Sequence, residues 1–466
     1  MDMNSIGACR FTAACAKFRA AVFLAAGLYS CMPALATDCG TGLSAQEKII
    51  KFKQLDTEAE GAMQQHRPAE AVRLYKDAVC LVPSSARGYY GLGVAEAAAG
   101  DFLNARESLR TADRLQPTTG MPLVMQVRVN FSLGDMNALK ENLREAADRF
   151  PHDAQLHTTL ARFLAERNLF VLALAEAIRS QQGSEDWNAK VQLAVLENTV
   201  GAYEDAIRNA LAVEQNHRIP PQARGAAAGI AGLSYEGLHQ VQKAIQYLDE
   251  AIQLDQSQDN SYLALADLFE QEQKFAEAVN VLTQARAHIP DSNTVLLALG
   301  ADLVRAEHYK EGVKVLRELL QKAPDTPQAY ISIADAARKT GDAAEEVTAL
   351  HELQRYKPDY PMIHVLLARA MLNQEPPDYR NILDDLSIAA KNAPNDPDVY
   401  FLQGKVYVAL GRYEQALPAL QHSIDLRPTE PSPYYQLARV YQKLGKTQMA
   451  REQFERVKYL ESSNAK

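Results

Sequence analysis

Basic and aromatic side chains recur near the C-terminus at a spacing that could serve one binding surface. Lys405 and Arg439 are 34 residues apart, as are Phe401 and Tyr435, while Arg369 precedes Lys405 by 36 residues. Cationic groups bind carboxylates through charge-assisted hydrogen bonds, and aromatic rings add apolar contact. The pattern therefore predicts a surface that binds a carboxylate or an acidic peptide. Its six members are Arg369, Phe401, Lys405, Tyr435, Arg439 and Lys443.

Catalytic, metal and cofactor motifs are missing from the rest of the sequence. The ten histidines are scattered singly, and His152 and His157 are too far apart to share a helical face. Gly91 and Gly93 hint at a nucleotide-binding loop, but Glu96 stands where a third glycine belongs, which favours a packing role. There is no Gly-x-Ser-x-Gly elbow, no Walker loop and no Cys-x-x-Cys pair. We predict a non-catalytic protein with no metal and no cofactor.

Proline recurs at a near-constant interval along the chain. An interval of 34 residues separates the members of two runs, which are Pro83, Pro117 and Pro151, and Pro290, Pro324 and Pro358. Proline cannot continue a helix because it lacks the backbone N–H, so each one marks the end of a helix. Apolar residues never settle into the period of two that indicates a strand. The pattern predicts a stack of identical two-helix units.

The residues between the prolines repeat at fixed offsets as well. One unit contains Tyr400, Gln403, Gly404, Tyr407, Gly411, Ala416, Leu420 and Pro428. The next contains Tyr434, Leu437, Ala438, Tyr441, Gly445, Ala450 and Phe454 at the same offsets. This spacing resembles the tetratricopeptide repeat (TPR), whose aromatic, Leu-Gly, Tyr, Ala, Phe and Pro positions these residues match. The resemblance extends over nearly all of the chain that follows the N-terminal segment.

The resemblance implies an all-α fold, a right-handed α-solenoid of about twelve TPR helix-turn-helix units. The predicted arrays are residues 44–219 and 220–461, divided at an elongated connection that carries Pro220 and Pro221. A linker of residues 37–43 precedes them, and a tail of residues 462–466 follows. Stability in such a stack is roughly a sum of unit and interface contributions.

The resemblance also implies where a ligand binds. In TPR proteins the first helix of each unit lines a concave groove that commonly holds an extended peptide or a partner helix. Counting from the core Gly or Ala position assigns Arg369, Lys405 and Arg439 to this groove. Phe401, Tyr435 and Lys443 are expected near them. The alternative is a solvated face that binds nothing, which is typical of surface charges.

The N-terminal segment is of a different kind. Basic residues precede an apolar run from Ala20 to Leu28, and small residues lead up to Ala36 and Thr37. This order is typical of a secretory signal peptide over residues 1–36. The apolar run is shorter than the roughly 20 residues that span a bilayer, so a membrane anchor is disfavoured. Cys31 follows a sequence that resembles a lipobox, which leaves a lipoprotein as the alternative.

Loss of this segment affects charge and cysteine content. It takes away three of the 49 basic and one of the 58 acidic side chains, which moves the formal net charge from −9 to −11. An acidic protein is a poor partner for nucleic acid or an anionic membrane surface. Two cysteines remain, Cys39 and Cys80, and export favours a disulfide between them. The alternative is two unpaired residues, with Cys80 a small buried hydrophobe.

Together these features predict an exported, periplasmic or envelope-associated bacterial TPR protein with no membrane span in the mature chain. Its function would be that of a protein-protein interaction scaffold that holds a protein or peptide in its groove. The alternative is an accessory or regulatory subunit of a separately encoded envelope enzyme or of a secretion or polysaccharide-export machine. Both interpretations rest on fold-level analogy, since the fold alone does not name a pathway.

Overall fold

The computed structural model describes residues 40–181 and 186–464 of the chain. Every regular element within this described part is an α-helix, and there are 24 of them. Taken in chain order, they pair into helix-turn-helix units, so the predicted all-α solenoid of about twelve units is confirmed. The predicted signal peptide, residues 1–36, lies outside the described residues.

The chain divides into two compact units, of which the first ends at Phe150 and the second begins at Pro151. The helices of the first unit are α1 (Ala45–Gln64), α2 (Pro68–Leu81), α3 (Ala86–Ala98), α4 (Phe102–Leu115), α5 (Met121–Ser132) and α6 (Met136–Arg149). The first of them begins with a capping box, in which Ser44 and Glu47 satisfy each other's backbone N–H groups.

The second unit holds the other helices of the described chain. They are α7 (Ala154–Glu166), α8 (Phe170–Ser180), α9 (Trp187–Thr199), α10 (Tyr203–Glu214), α11 (Pro221–Gly237), α12 (Val241–Leu254), α13 (Asp259–Gln271), α14 (Phe275–His288), α15 (Asn293–Arg305), α16 (Tyr309–Lys322), α17 (Pro327–Thr340), α18 (Ala343–Tyr356), α19 (Ile363–Met371), α20 (Tyr379–Asn392), α21 (Pro397–Ala409), α22 (Tyr413–Leu426), α23 (Pro431–Lys443) and α24 (Thr447–Asn464). The array boundary predicted at 219/220 falls inside this unit, between α10 and α11, and α24 extends into the predicted tail.

In every helix pair of the described chain except α19–α20, the turn contains one residue with a left-handed backbone. Gly411, one of the residues at fixed repeat offsets, adopts a φ of 69° between α21 and α22. Other pairs use a residue with a side chain in this turn, such as Gln273 at a φ of 58° and Glu307 at 64°. A side chain in this conformation costs about 1 kcal/mol or more because its Cβ approaches the backbone too closely. The turn geometry is therefore imposed by the packing of the two helices.

Small residues let the two helices of a pair approach closely. A Cβ added to Gly404 on α21 would lie 2.5 Å from Leu420 on α22, and one added to Gly93 would lie 2.6 Å from Leu109. Both leucines are fully buried. The same close approach at a small residue is therefore present in both units, and a larger side chain there would force the helices apart.

Several helix pairs also share a buried hydrogen bond between side chains twelve residues apart. Ser108 donates to Glu96 at 2.7 Å, and Asn209 donates to Glu197 at 2.8 Å. Burial raises the pKa of both glutamates above its ordinary value, while the hydrogen bonds oppose that shift. These bonds join the first helix to the second within one repeat.

The odd-numbered helices of each unit form one face. Successive odd-numbered helices contact one another, as α1 does with α3 and α21 with α23, whereas even-numbered helices make no comparable contacts in the part of the chain that is described. The odd-numbered helices therefore lie closer together and line the inner side of each stack. We call this inner side the groove of that unit. None of the described helices has both the length and the apolar character needed to cross a membrane.

Candidate functional site

A pocket of about 390 Å³ lies in the groove of the second unit, between α21 and α23. Helix α21 contributes residues between Pro397 and Lys405, α23 contributes its first turn, and α19 contributes Arg369 from the preceding repeat. The end of α22 closes the pocket. Its lining residues are Arg369, Pro397, Asp398, Phe401, Leu402, Lys405, Ser423, Arg427, Glu430, Ser432 and Pro433.

Two arginines of this pocket bind the same carboxylate. Arg369 donates from Nη2 to Oδ2 of Asp398 at 2.8 Å, and Arg427 donates from Nη1 to Oδ1 at 3.0 Å. Asp398 lies in the first turn of α21, and Arg427 is the C-cap residue of α22. Asp398 therefore holds both guanidinium groups in place and offsets part of their charge.

Lys405 is the cation of the pocket that lacks an acidic partner. Its Nζ lies 5.9 Å from the centre of the Phe401 ring, one helical turn earlier on α21, at the outer limit of a cation–π contact. Within the described residues it makes no hydrogen bond or ion pair. Lys405 is exposed, so its ammonium group is free to bind a ligand.

The remaining predicted residues lie along α23 and do not line the pocket. Tyr435 is 46% exposed, and its ring packs edge-on against Phe454 with centroids 5.9 Å apart. Arg439 and Lys443 follow on the same helix, both exposed, and neither pairs with another residue in the described ranges. The structure thus brings Arg369, Phe401 and Lys405 together, and the other three extend the surface along the last odd-numbered helix.

The charges of the pocket decide what it can bind. Three cationic side chains, from Arg369, Lys405 and Arg427, face two anionic ones, from Asp398 and Glu430, so one positive charge remains. The neighbouring helix α23 adds Arg439 and Lys443. This arrangement can accept an anionic group through Lys405 and an apolar group against the Phe401 ring.

Sequence reasoning missed the acidic member at the centre of this site. Asp398 is the second residue of α21, and Arg427 directly precedes a repeat proline, Pro428. Extending the groove count to the first turn of each odd-numbered helix would have included Asp398, whereas Arg427 is the C-cap residue of an even-numbered helix. The count started at the small core residue and so considered only later turns.

The predicted disulfide concerns the first unit. Cys80, near the end of α2, is disulfide-bonded. Its predicted partner Cys39 lies outside the described residues, so the pairing of these two remains a prediction. As to metals, the described ranges contain no group of three or more His, Cys, Asp or Glu residues that could hold an ion.

A repeated helix pair with a short left-handed turn and a groove of odd-numbered helices defines an α-solenoid repeat protein. Family models identify the repeat. A model described as "TPR repeat" matches residues 404–445, and two described as "Tetratricopeptide repeat" match residues 57–118 and 297–361 and residues 431–464. The chain is therefore a tetratricopeptide repeat protein, and its repeats form a protein-interaction scaffold.

Similarity to individual proteins is weak. No curated protein matches the chain. Among solved structures, MamA from Desulfovibrio magneticus RS-1 is 22% identical and is covered over 97% of its length, against 37% of this chain, with a TM-score of 0.34. Yeast Tom70 is 16% identical, with 89% of this chain and 92% of that chain covered, at a TM-score of 0.34. The Cut9-Hcn1 hetero-tetramer of APC/C is 12% identical, with 84% of this chain and 96% of that chain covered, at a TM-score of 0.36.

Proposed function

We propose that this chain is a non-catalytic scaffold of the bacterial envelope that holds a partner protein or peptide against the groove of α19, α21 and α23. The observation that carries this proposal is the set of cations without acidic partners on α21 and α23. Lys405 and Arg439 occupy equivalent positions on these two neighbouring helices, and Lys443 follows one turn later. Three such cations on one face of an acidic chain form a local positive surface.

The partner segment that suits this surface is acidic. A carboxylate that meets Lys405 would gain a charge-assisted hydrogen bond without breaking an existing ion pair. An apolar side chain beside it could pack on the half-buried ring of Phe401 or on the exposed ring of Tyr435. A nucleic acid is disfavoured because the whole chain carries a formal net charge of −9.

The envelope location is supported by the sequence. The basic and apolar order of residues 1–36 is that of an export signal, and Cys80 is disulfide-bonded. Both features suit an oxidising compartment.

The test is a double charge reversal, Lys405→Glu with Arg439→Glu, measured on a partner that is first captured from the envelope fraction and identified. The Kd of that partner should rise at least about tenfold, which corresponds to about 1.4 kcal/mol. Both residues are exposed, so helicity and the melting temperature should not change.

A matched control carries the same charge change outside the groove. Lys391→Glu with Arg451→Glu places both substitutions on exposed positions of α20 and α24. This control should bind the partner like the wild type. Equal binding by the two double variants would refute the proposed location.

A further inference from the structure

A second pocket, of about 500 Å³, lies in the groove of the first unit between α1 and α3. The net charge of its lining residues is negative, whereas that of the C-terminal pocket is positive. Tyr75 of α2 also lines it. The lining residues are Asp56, Glu60, Met63, Gln64, Tyr75, Arg87, Tyr90, Gly91 and Val94.

Tyr75 presents an unused hydroxyl group to this pocket. Its side chain is 4% exposed and forms no hydrogen bond with any residue that the structure describes. The ring is held flat against Gly91, where an added Cβ would lie 2.4 Å from a ring carbon and 2.9 Å from the hydroxyl oxygen. The hydroxyl group lines the pocket, where a ligand or water can form a hydrogen bond with it.

Two carboxylates lie near the hydroxyl group, and only one oxygen of each accepts a hydrogen bond in the described part of the chain. Arg87 donates from Nε to Asp56 at 2.7 Å and from Nη2 to Glu60 at 2.7 Å. The second oxygen of each carboxylate accepts no hydrogen bond within the described ranges. Burial, followed by the negative charges of Asp56 and Glu60, raises the pKa of Tyr75 to about 12. The phenol is therefore neutral at physiological pH.

These groups define the chemistry of a ligand. The free oxygens of Asp56, Glu60 and Tyr75 can all accept hydrogen bonds, and two negative charges exceed the single positive charge of Arg87. The apolar side chains of Met63 and Val94 line the same pocket and can contact a hydrocarbon stem. A lysine side chain offers three donors on a compact cation and a stem of four methylene groups.

We propose that this pocket binds a lysine side chain of a partner protein. The aromatic ring of Tyr90, which also lines the pocket, can contact the ammonium group. Arg128 of α5 influences Tyr90 electrostatically but does not line the pocket. This site is independent of the proposed C-terminal site and selects the opposite charge, so the two could recognise different partners or different segments.

The test uses the full mature chain and three short capped peptides that differ only at their central residue, which is lysine, norleucine or glutamate. Saturation-transfer NMR measures the Kd of each. The lysine peptide should bind at least about tenfold more tightly than the norleucine peptide, because a charge-assisted hydrogen bond adds to the shared apolar contact. Equal binding of lysine and norleucine peptides would overturn the proposal and leave a pocket occupied by water only.

Three variants locate the binding. Glu60→Gln should weaken lysine-peptide binding about fivefold or more because it removes a negative charge, and Tyr75→Phe should weaken it about threefold because it removes the hydroxyl group. Neither substitution changes the shape of the side chain substantially. Arg87→Gln should strengthen binding because it removes the competing cation. Glu58→Gln, an exposed neighbour on α1 outside the pocket, should bind like the wild type.

These variants also separate binding from folding. Glu60 is 51% exposed at its side chain, so its substitution should leave the circular dichroism spectrum and melting temperature unchanged. If Glu60→Gln folds normally and binds the lysine peptide with the wild-type Kd, the assignment of this pocket is wrong. Tighter binding by Arg87→Gln would exclude a purely structural effect, because a weakened fold does not increase affinity.

Discussion

Arg369 donates a 2.8 Å hydrogen bond to Asp398, and the same two repeat positions carry Glu60 and Arg87 in the first unit, with the charges exchanged. In both cases the first residue follows a small core residue on one odd-numbered helix, and the second is the second residue of the next odd-numbered helix. One repeated geometry therefore holds an ion pair at each pocket. The sign of the charge left over differs, and this difference decides which ligand each pocket favours.

The first prediction concerns the acidic member of the C-terminal pair. Asp398→Asn should release Arg369 and Arg427, so an acidic partner should bind about threefold or more tightly as the pocket gains positive charge. Stability should fall by about 1 kcal/mol or less, since both pairs are partly exposed. Isothermal titration calorimetry of the identified partner measures the change. Asp425→Asn, on the exposed side of α22, is the control for charge alone, and equal affinities of the two variants would contradict the prediction.

The second prediction tests the register of the repeat. Ala416 is fully buried where α22 meets α21, so Ala416→Leu should overpack the joint and destabilise it by about 1–3 kcal/mol. Gln421→Leu, on the exposed side of the same helix, should change the free energy of unfolding by less than about 0.5 kcal/mol. Urea denaturation followed by circular dichroism compares the two. Equal midpoints would mean that the assignment of core and surface on α22 is wrong.

More of the fold than of the candidate site could be predicted from the sequence, because the fold and the site depend on different residues. Residues equivalent to Gly404 and Leu420 recur in several units, since those helix pairs need the same close contact. Asp398 has no such repetition, because groove residues are free to differ between units. Its role depends on a bond to Arg369 in the preceding repeat, and the period of the sequence does not reveal such a pairing.

The third prediction concerns the turns that lack glycine. Glu307 holds a φ of 64° between α15 and α16, where other pairs have glycine. Glu307→Gly should stabilise the chain by up to about 1 kcal/mol, because glycine adopts this conformation without steric strain. Gly411→Ala in the equivalent turn should destabilise it by a similar amount. Thermal melts should move in opposite directions for the two variants, and a shift of the same sign in both would refute the explanation.

The fourth prediction concerns export. If residues 1–36 are a signal peptide, the exported protein should begin at Thr37 and contain a disulfide between Cys39 and Cys80. Intact-mass and non-reducing peptide mass spectrometry of the envelope fraction measure both features. A lipid-modified N-terminus at Cys31 would instead establish a lipoprotein. Two free thiols in the mature chain would contradict the predicted pairing.

The last prediction concerns a pair of carboxyl groups between α13 and α15, of which Asp302 is buried. Asp302 is fully buried, and burial together with the neighbouring carboxyl group of Glu270 raises its pKa from 3.8 to about 7, while Arg305 opposes the shift. The folded chain therefore keeps a proton that the unfolded chain releases between these two pH values. Ionisation of Asp302 therefore lowers the free energy of unfolding as the pH rises from about 4 to about 7, and this loss of stability is complete above pH 7.

Asp302→Asn should remove this dependence because the amide stays neutral over the whole pH range. The variant should therefore gain stability relative to the wild type on going from pH 5 to pH 8, as measured by urea denaturation at both values. Asp335→Asn, a partly exposed carboxylate paired with Arg338, serves as the control and should show the same difference from the wild type at both pH values. A pH-independent effect of Asp302→Asn would mean that Asp302 is already ionised at pH 5 in the folded chain.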